Sequence, residues 1–258
     1  MFSRCLPAVA LTALLAGCSG APAAIPPLPL TTAAAADEQT AAAIEPDPRV
    51  GAVFLGDQTL HVCSGSVLDS PAGDLILTAA HCLADGVDAY FVPGFADGAD
   101  EEFWTIDEVY LDPRWVQSRD PLADFAIARV SRDGGGSIEQ RAGGGLKVGA
   151  TPAPGTEVTV RGYAFGFGGD QLGCRAATVM RGAYPELPCA GLVDGTSGSP
   201  WMSSDTTVTG VVGGLEGGGC EENVSYSSPF DTAVTRVLDR AVRGGPADVA
   251  PTVYGDDC

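Results

Sequence analysis

Leu77-Thr78-Ala79-Ala80-His81-Cys82 and Gly195-Thr196-Ser197-Gly198-Ser199-Pro200 are the two stretches on which the reading of this chain turns. The first places a histidine at the end of an apolar run. The second places a serine between glycines, just ahead of another apolar run. A serine hydroxyl is a poor nucleophile at neutral pH unless a base takes its proton. Histidine is the usual base, and a buried carboxylate usually orients it. Between the two stretches lies Ala123-Asp124-Phe125-Ala126-Ile127-Ala128, an acid inside an apolar run. Such a carboxylate is costly to bury without a partner, and an imidazole N–H is a suitable one. Asp120 competes for this role, but Ser118, Arg119 and Pro121 around it suggest an exposed turn. Asp107 and Asp112 fall on the preceding strand or its turn. Of the two histidines, His61 stands in an alternating run before Cys63 with no motif around it, and reads as a structural or surface residue.

Outward from these motifs, the chain from Val50 onward consists of short apolar or alternating runs punctuated by glycine, the pattern of strands. Strands are expected at Val50–Leu55, Leu60–Leu68, Leu75–Thr78, Ala89–Val92, Trp104–Leu111, Phe125–Val130, Val158–Tyr163, Ala177–Arg181, Val208–Gly213 and Val224–Ser227. Over 231–243 the apolar positions Val234, Val237, Leu238 and Val242 have helical spacing, with Asp231 as N-cap. Residues 131–155, with Gly134-Gly135-Gly136 and Gly143-Gly144-Gly145, read as a long loop. With 35 glycines, 19 prolines and 45% apolar residues, the composition favours a turn-rich all-β body over a helix bundle.

The order His81, Asp124, Ser197 and the contexts of the three residues resemble the chymotrypsin-like (trypsin fold) serine endopeptidases. The resemblance covers about Val50 to Arg240. It implies an all-β fold of two six-stranded antiparallel β-barrels with a C-terminal helix, the barrels joined within 131–155. It implies acyl transfer on protein or peptide substrates: Ser197 attacks the carbonyl, His81 takes its proton, and water hydrolyses the acyl-enzyme. The N–H groups of Gly195 and Ser197 would form the oxyanion hole, where one donor is worth about 3–4 kcal/mol of transition-state stabilisation. A catalytically silent binding module of the same fold is the alternative. An esterase built on a nucleophile elbow in an α/β sheet fits this β-rich context poorly.

Three departures from the family stand out. Thr196 occupies the position where trypsin-like enzymes usually carry the aspartate that pairs with a new N-terminus. No activation by that switch is therefore expected, although Arg49-Val50-Gly51 faintly resembles a cleavage site. The resemblance puts Gly191 at the base of the specificity pocket, without the acid that selects Arg or Lys. Val212, Gly213 and Leu215 would form its wall. Many glutamyl-specific members have a histidine where Val212 falls, so a preference for small or medium apolar side chains is expected. Gly213 also replaces a serine that often supports the catalytic aspartate. The run Gly195–Pro200 otherwise looks most like bacterial secreted members.

The chain has eight cysteines. Cys5 would leave with a signal segment. Leu15-Ala16-Gly17-Cys18, after an apolar stretch too short to span a bilayer, resembles the bacterial lipoprotein box, which implies lipidation of Cys18. The expected organisation is a lipoprotein signal peptide over 1–17, an Ala/Pro-rich tether over 18–48, a protease domain over 49–243 and an acidic tail over 244–258. The expected location is an exported envelope lipoprotein anchored to a membrane by its lipid, or else a secreted protein. The six remaining cysteines suit three disulfides. Cys63 and Cys82 match a bridge that the family places across the histidine loop. Cys174 and Cys189 bracket the segment before the serine, leaving Cys220 for Cys258. The alternative joins Cys189 to Cys220 and Cys174 to Cys258. With 33 acidic and 14 basic residues and a net charge of −19, nucleic acid is not an expected partner. No metal site or cofactor is expected, and a monomer is.

Overall fold

The computed structural model describes residues 39–96, 102–221 and 223–252. Residues 1–17, Cys18 and Cys258 lie outside these. The first half closes into a six-stranded barrel in the order Val50–Leu55, His61–Val67, Leu75–Thr78, Ala126–Ser131, Trp104–Leu111 and Ala89–Pro93, the last pairing back to the first. All of its pairings are antiparallel. These strands form because their apolar side chains have an interior to fill: Val53, Val67, Ile76, Phe91, Trp104 and Ala128 are all buried.

In the second half, a six-stranded sheet runs Ala42–Ala43, Leu172–Ala177, Glu157–Gly162, Pro200–Ser204, Thr207–Val211 and Lys147–Val148. A three-stranded sheet runs Val179–Arg181, Tyr184–Leu187 and Ser225–Tyr226. The Gly213 N–H donates to Tyr226 O at 3.0 Å and links the ends of the two sheets. Val158, Val160, Leu187, Trp201 and Val212 fill this half. The fold is the all-β, trypsin-like one expected, with its C-terminal helix at Thr232–Val242. Of the two antiparallel barrels expected, the first is closed, while the second half is made of sheets that include a parallel pairing of Thr207–Val208 with Lys147–Val148. Asp231 caps that helix by accepting from Ala233 N–H at 2.6 Å. Its buried face, Ala233, Val234, Val237 and Ala241, packs on Tyr110, Leu111 and Phe125 of the first barrel.

Four features go beyond the expected organisation. The stretch over 18–48 is not a free tether at its end. Gln39–Thr40 pairs in parallel with Cys189–Ala190, and Ala42–Ala43 pairs antiparallel with Leu172–Gly173. Alanine offers little apolar periodicity, so these strands are held mainly by backbone bonds to distant partners. The tail from 244 is likewise docked as far as Asp248, whose N–H donates to Val109 O at 2.8 Å and whose carboxylate meets Leu111 N–H and Arg240. The 131–155 loop contains a short helix, Ile138–Arg141, capped by Ser137. Finally, Pro113–Ser118 forms a helix capped by Asp112, with Pro113 in its first turn.

Candidate active site

Strand Leu75–Thr78 ends in a single 3-10 turn, Ala80–Cys82, which carries His81. Asp124 follows a second such turn, Pro121–Ala123, just before strand Ala126–Ser131. Leu75–Thr78 and Ala126–Ser131 are hydrogen-bonded neighbours, with Thr78 opposite Ala126. The two turns therefore emerge side by side at one end of the barrel. Asp124 Oδ1 accepts the backbone N–H of His81 at 3.0 Å, and Oδ2 lies 2.7 Å from His81 Nδ1. Oδ2 also accepts the backbone N–H of Gly214 at 2.8 Å.

Asp124 is 1% exposed. Burial pushes its carboxyl up. The charge of the His81 ring, the ring hydrogen bond and the N–H groups of Gly214 and His81 more than offset this and hold it below the usual carboxylate range. An ionised carboxylate only accepts hydrogen bonds. Nδ1 of His81 therefore carries a proton and donates it to Oδ2. The His81 side chain is 20% exposed, so solvent can reach the ring. Asp120 instead caps the turn Pro121–Ala123 through Leu122 N–H, and Asp112 is paired with Arg114. His61 is fully buried among Phe54, Phe95 and Tyr163, which makes it structural.

Ser197 is half-buried in the turn ahead of strand Pro200–Ser204. Two features bring this turn to the histidine. Ser64 N–H donates to Ser197 O at 2.7 Å. A Cβ placed on Gly198 would fall 2.2 Å from Ser64 O and 3.0 Å from Ala79 N, so only glycine lets the turn approach the backbone leading to His81. Within the turn, Thr196 N–H donates to Val193 O, Gly198 N–H to Val212 O and Ser199 N–H to Thr196 O. Among the described residues, the N–H groups of Gly195 and Ser197 have no acceptor. Gly195 has φ +87°, and its backbone lies flat against Ala164 and Phe165. Thr196, where the family usually has aspartate, is buried, and its hydroxyl donates to Val193 O at 2.7 Å.

The four residues expected at the pocket are placed differently from one another. Val212 is buried in the second core and faces Gly218, where a Cβ would come within 2.8 Å of Val212 Cγ1. Gly213 lies against Asp124, where a Cβ would fall 2.9 Å from Oδ2. Leu215 opens the turn Leu215–Gly218. Gly191, at φ +80°, packs against Ala41 of the docked N-terminal segment. Two contributors carry no motif. Gly214 supports Asp124 through its backbone N–H. Ser64, fully buried, donates its hydroxyl to Gly195 O at 2.9 Å and accepts Tyr163 N–H at 2.9 Å, tying the serine turn to the first barrel. Only a buried hydroxyl inside an apolar strand could have signalled Ser64.

Cys63 is bonded to Cys82, and Cys174 to Cys189, so the alternative pairing through Cys174–Cys258 does not form. Cys220 is also disulfide-bonded. The sulfurs of Cys63 and Cys82 and the His81 ring lie close enough to hold a metal ion, but the sulfurs are bonded to each other and offer no thiolate. Among the described residues, no helix is long and apolar enough to cross a membrane.

A closed β-barrel joined to a second β-sheet half, with an acid–histidine couple beside a glycine-flanked serine turn, is the arrangement of the serine protease class of fold. The model of the trypsin-like peptidase domain family matches residues 63–211, more than half of the chain, and the chain belongs to this family. Solved structures agree in fold. The protease Anisep from Arthrobacter nicotinovorans is 21% identical, with a TM-score of 0.68 over 79% of this chain and all (100%) of that one. A thermostable serine protease, AL20, from an extremophilic microorganism is 23% identical, with a TM-score of 0.65 over 76% of this chain and 98% of its own. A Glu endopeptidase is 15% identical, with a TM-score of 0.64 over 80% of this chain and 98% of its own. No curated protein matches the sequence.

Proposed function

We propose that this chain is an active serine endopeptidase, held at a membrane by a lipid on Cys18. The observation that carries the reading is the paired state of His81 and Asp124, 2.7 Å apart, beside a turn whose Gly195 and Ser197 N–H groups are unpaired among the described residues. In its neutral form His81 takes the Ser197 proton at Nε2 as the hydroxyl attacks a peptide carbonyl. The imidazolium is stabilised by Asp124, then protonates the leaving amine. The developing oxyanion is met by the two backbone N–H groups. Water, activated by the same histidine, hydrolyses the acyl-enzyme. The satisfied Thr196 hydroxyl supports activity without a newly cut N-terminus. So does Val50, which is already buried in the first barrel strand. The lipoprotein-like Leu15–Cys18 supports the anchor.

The test exposes the full chain to a fluorophosphonate probe and locates the adduct by mass spectrometry, with Ser197→Ala and His81→Ala alongside. An adduct on Ser197 that is lost in both variants is expected. A folded, disulfide-bonded chain that never labels would leave the silent binding module as the reading. Cys18→Ser should move the protein out of the membrane fraction. Retention there would remove the lipid anchor from the proposal.

A further inference from the structure

Apolar side chains are seldom left in water without a use when they cluster and are large. Among the described residues, the exposed large hydrophobics include two aromatics, Phe165 at 54% and Phe167 at 76%. Both stand on one loop, Phe165-Gly166-Phe167-Gly168-Gly169, and Val193, 45% exposed, lies close by in sequence to the turn it borders. The backbone of this loop is held on two sides. Phe165 N–H donates to Asp194 O at 2.7 Å, directly before Gly195. Gly166 exchanges both backbone hydrogen bonds with His61, at 3.1 and 3.3 Å. The loop is thus anchored through its main chain while its two phenyl rings are left to solvent.

The position of the loop tells what those rings would meet. The serine turn has two flanks. On one lie Val212, Gly213 and Gly214, the wall beside Asp124, bonded to the turn through Gly198 N–H and Val212 O at 2.7 Å. On the other lie Ala164 and Phe165, so near that a Cβ on Gly195 would fall 2.1 Å from Phe165 N. This second flank also carries His61 and the strand leading through Cys63 to Ser64. On the endopeptidase reading, with the acyl side of a substrate along the wall, its leaving side would extend across the oxyanion turn toward the second flank.

We infer that Phe165 and Phe167 select an apolar residue on the leaving-group side of the scissile bond, so that this protease reads its substrate downstream as well as at the pocket. The inference rests on the endopeptidase reading above. An aromatic pair at the rim of a water-exposed site binds a substrate methyl or ring by removing both from water, and the discrimination available to such a contact is about tenfold or more.

The test is a mixed peptide library digested by the full chain and by Phe165→Ser, Phe167→Ser and the double variant, with cut sites read by mass spectrometry. The quantity compared is a ratio within one sample: cleavage before Leu or Phe against cleavage before Ser or Asn. Any change in overall activity cancels. The parent should favour apolar downstream residues, and the ratio should fall by about tenfold in the double variant. A fluorophosphonate adduct on Ser197 in each sample establishes that its triad is intact. An unchanged ratio in labelled variants overturns the inference while leaving the endopeptidase reading in place. No cleavage by the labelled parent overturns both. If the double variant keeps its ratio but loses pelleting with phosphatidylglycerol vesicles, the rings serve a lipid surface and the inference fails.

Discussion

Gly214 donates its backbone N–H to Asp124 Oδ2 at 2.8 Å, the same oxygen that faces His81 Nδ1 at 2.7 Å. Because Oδ1 is occupied by His81 N–H, every donor around this carboxylate points inward. Asp124→Asn would replace one acceptor by an NH2 group and set donor against donor. To relieve this, the imidazole would take the other tautomer and lose its Nε2 lone pair. Peptide hydrolysis at neutral pH should drop by about 10⁴-fold, the loss that this change brings in the triad template. Comparing kcat for the parent and the variant checks this. A loss of less than tenfold would mean that Asp124 does not set the tautomer.

Gly195 combines φ +87° with a Cβ direction occupied by Phe165 backbone. Backbone atoms cannot turn aside as a flexible side chain can. Gly195→Ala should therefore swing the turn, misaim an oxyanion donor and lower kcat by about 10²-fold or more. It should also cost about 1–3 kcal/mol of stability, as overpacking does. Thermal unfolding with single-turnover acylation separates the two effects. Normal acylation in a stable variant would place the oxyanion donors elsewhere.

What was legible in the sequence follows from where the chemistry resides. Leu75–Thr78 and Trp104–Leu111 were readable because their side chains fill the barrel. The pairing of His81 with Asp124 was readable because a buried acid demands a partner. Gly214 was not, since a backbone N–H has no side-chain signature. Leu172–Ala177 was hidden by its glycine and small alanines, and Tyr184–Leu187 by Pro185, a residue that weighs against a strand lying, as this one does, between two others. The docked segment Gln39–Ala43 was hidden by alanines, since its strand character comes from partners about 130 to 150 residues away.

Acid should destabilise the fold in a way that follows from three carboxylates. Burial pushes Asp47, Asp112 and Asp124 up, but Arg49, Arg114 and the His81–Gly214 donors hold them below the usual range. A depressed native pKa stabilises above the unfolded value of about 3.9, and that contribution is lost as pH falls through the native value. The urea midpoint should therefore decline as the pH is taken from about 6 toward about 3. Asp112→Asn keeps a capping side chain for helix Pro113–Ser118 but does not titrate, so its decline should be shallower. An identical slope would show that Asp112 titrates alike in both states.

Gln171 is the fastening of the N-terminal segment. Fully buried, it donates through Nε2 to Tyr163 OH at 2.9 Å and to Asp47 O at 3.3 Å, while its Oε1 accepts Asp47 N–H at 3.0 Å. Its own backbone oxygen takes Ile44 N–H at 2.9 Å. Gln171→Ala removes the side-chain bonds and leaves the Tyr163 hydroxyl and the Asp47 backbone groups to find others. Unsatisfied buried groups of this kind cost about 1–3 kcal/mol. The stretch Gln39–Asp47 should then loosen first, because alanines give it little other hold. Hydrogen exchange should quicken at Ala41, Ile44 and Asp47 while Leu77 and Ile127 in the first barrel stay protected. Since Ala41 packs on Gly191 and donates to Ala190 O at 2.8 Å, the KM for peptides should rise with the exchange rate. Faster exchange with unchanged KM would show that this segment steadies the fold without shaping the pocket base.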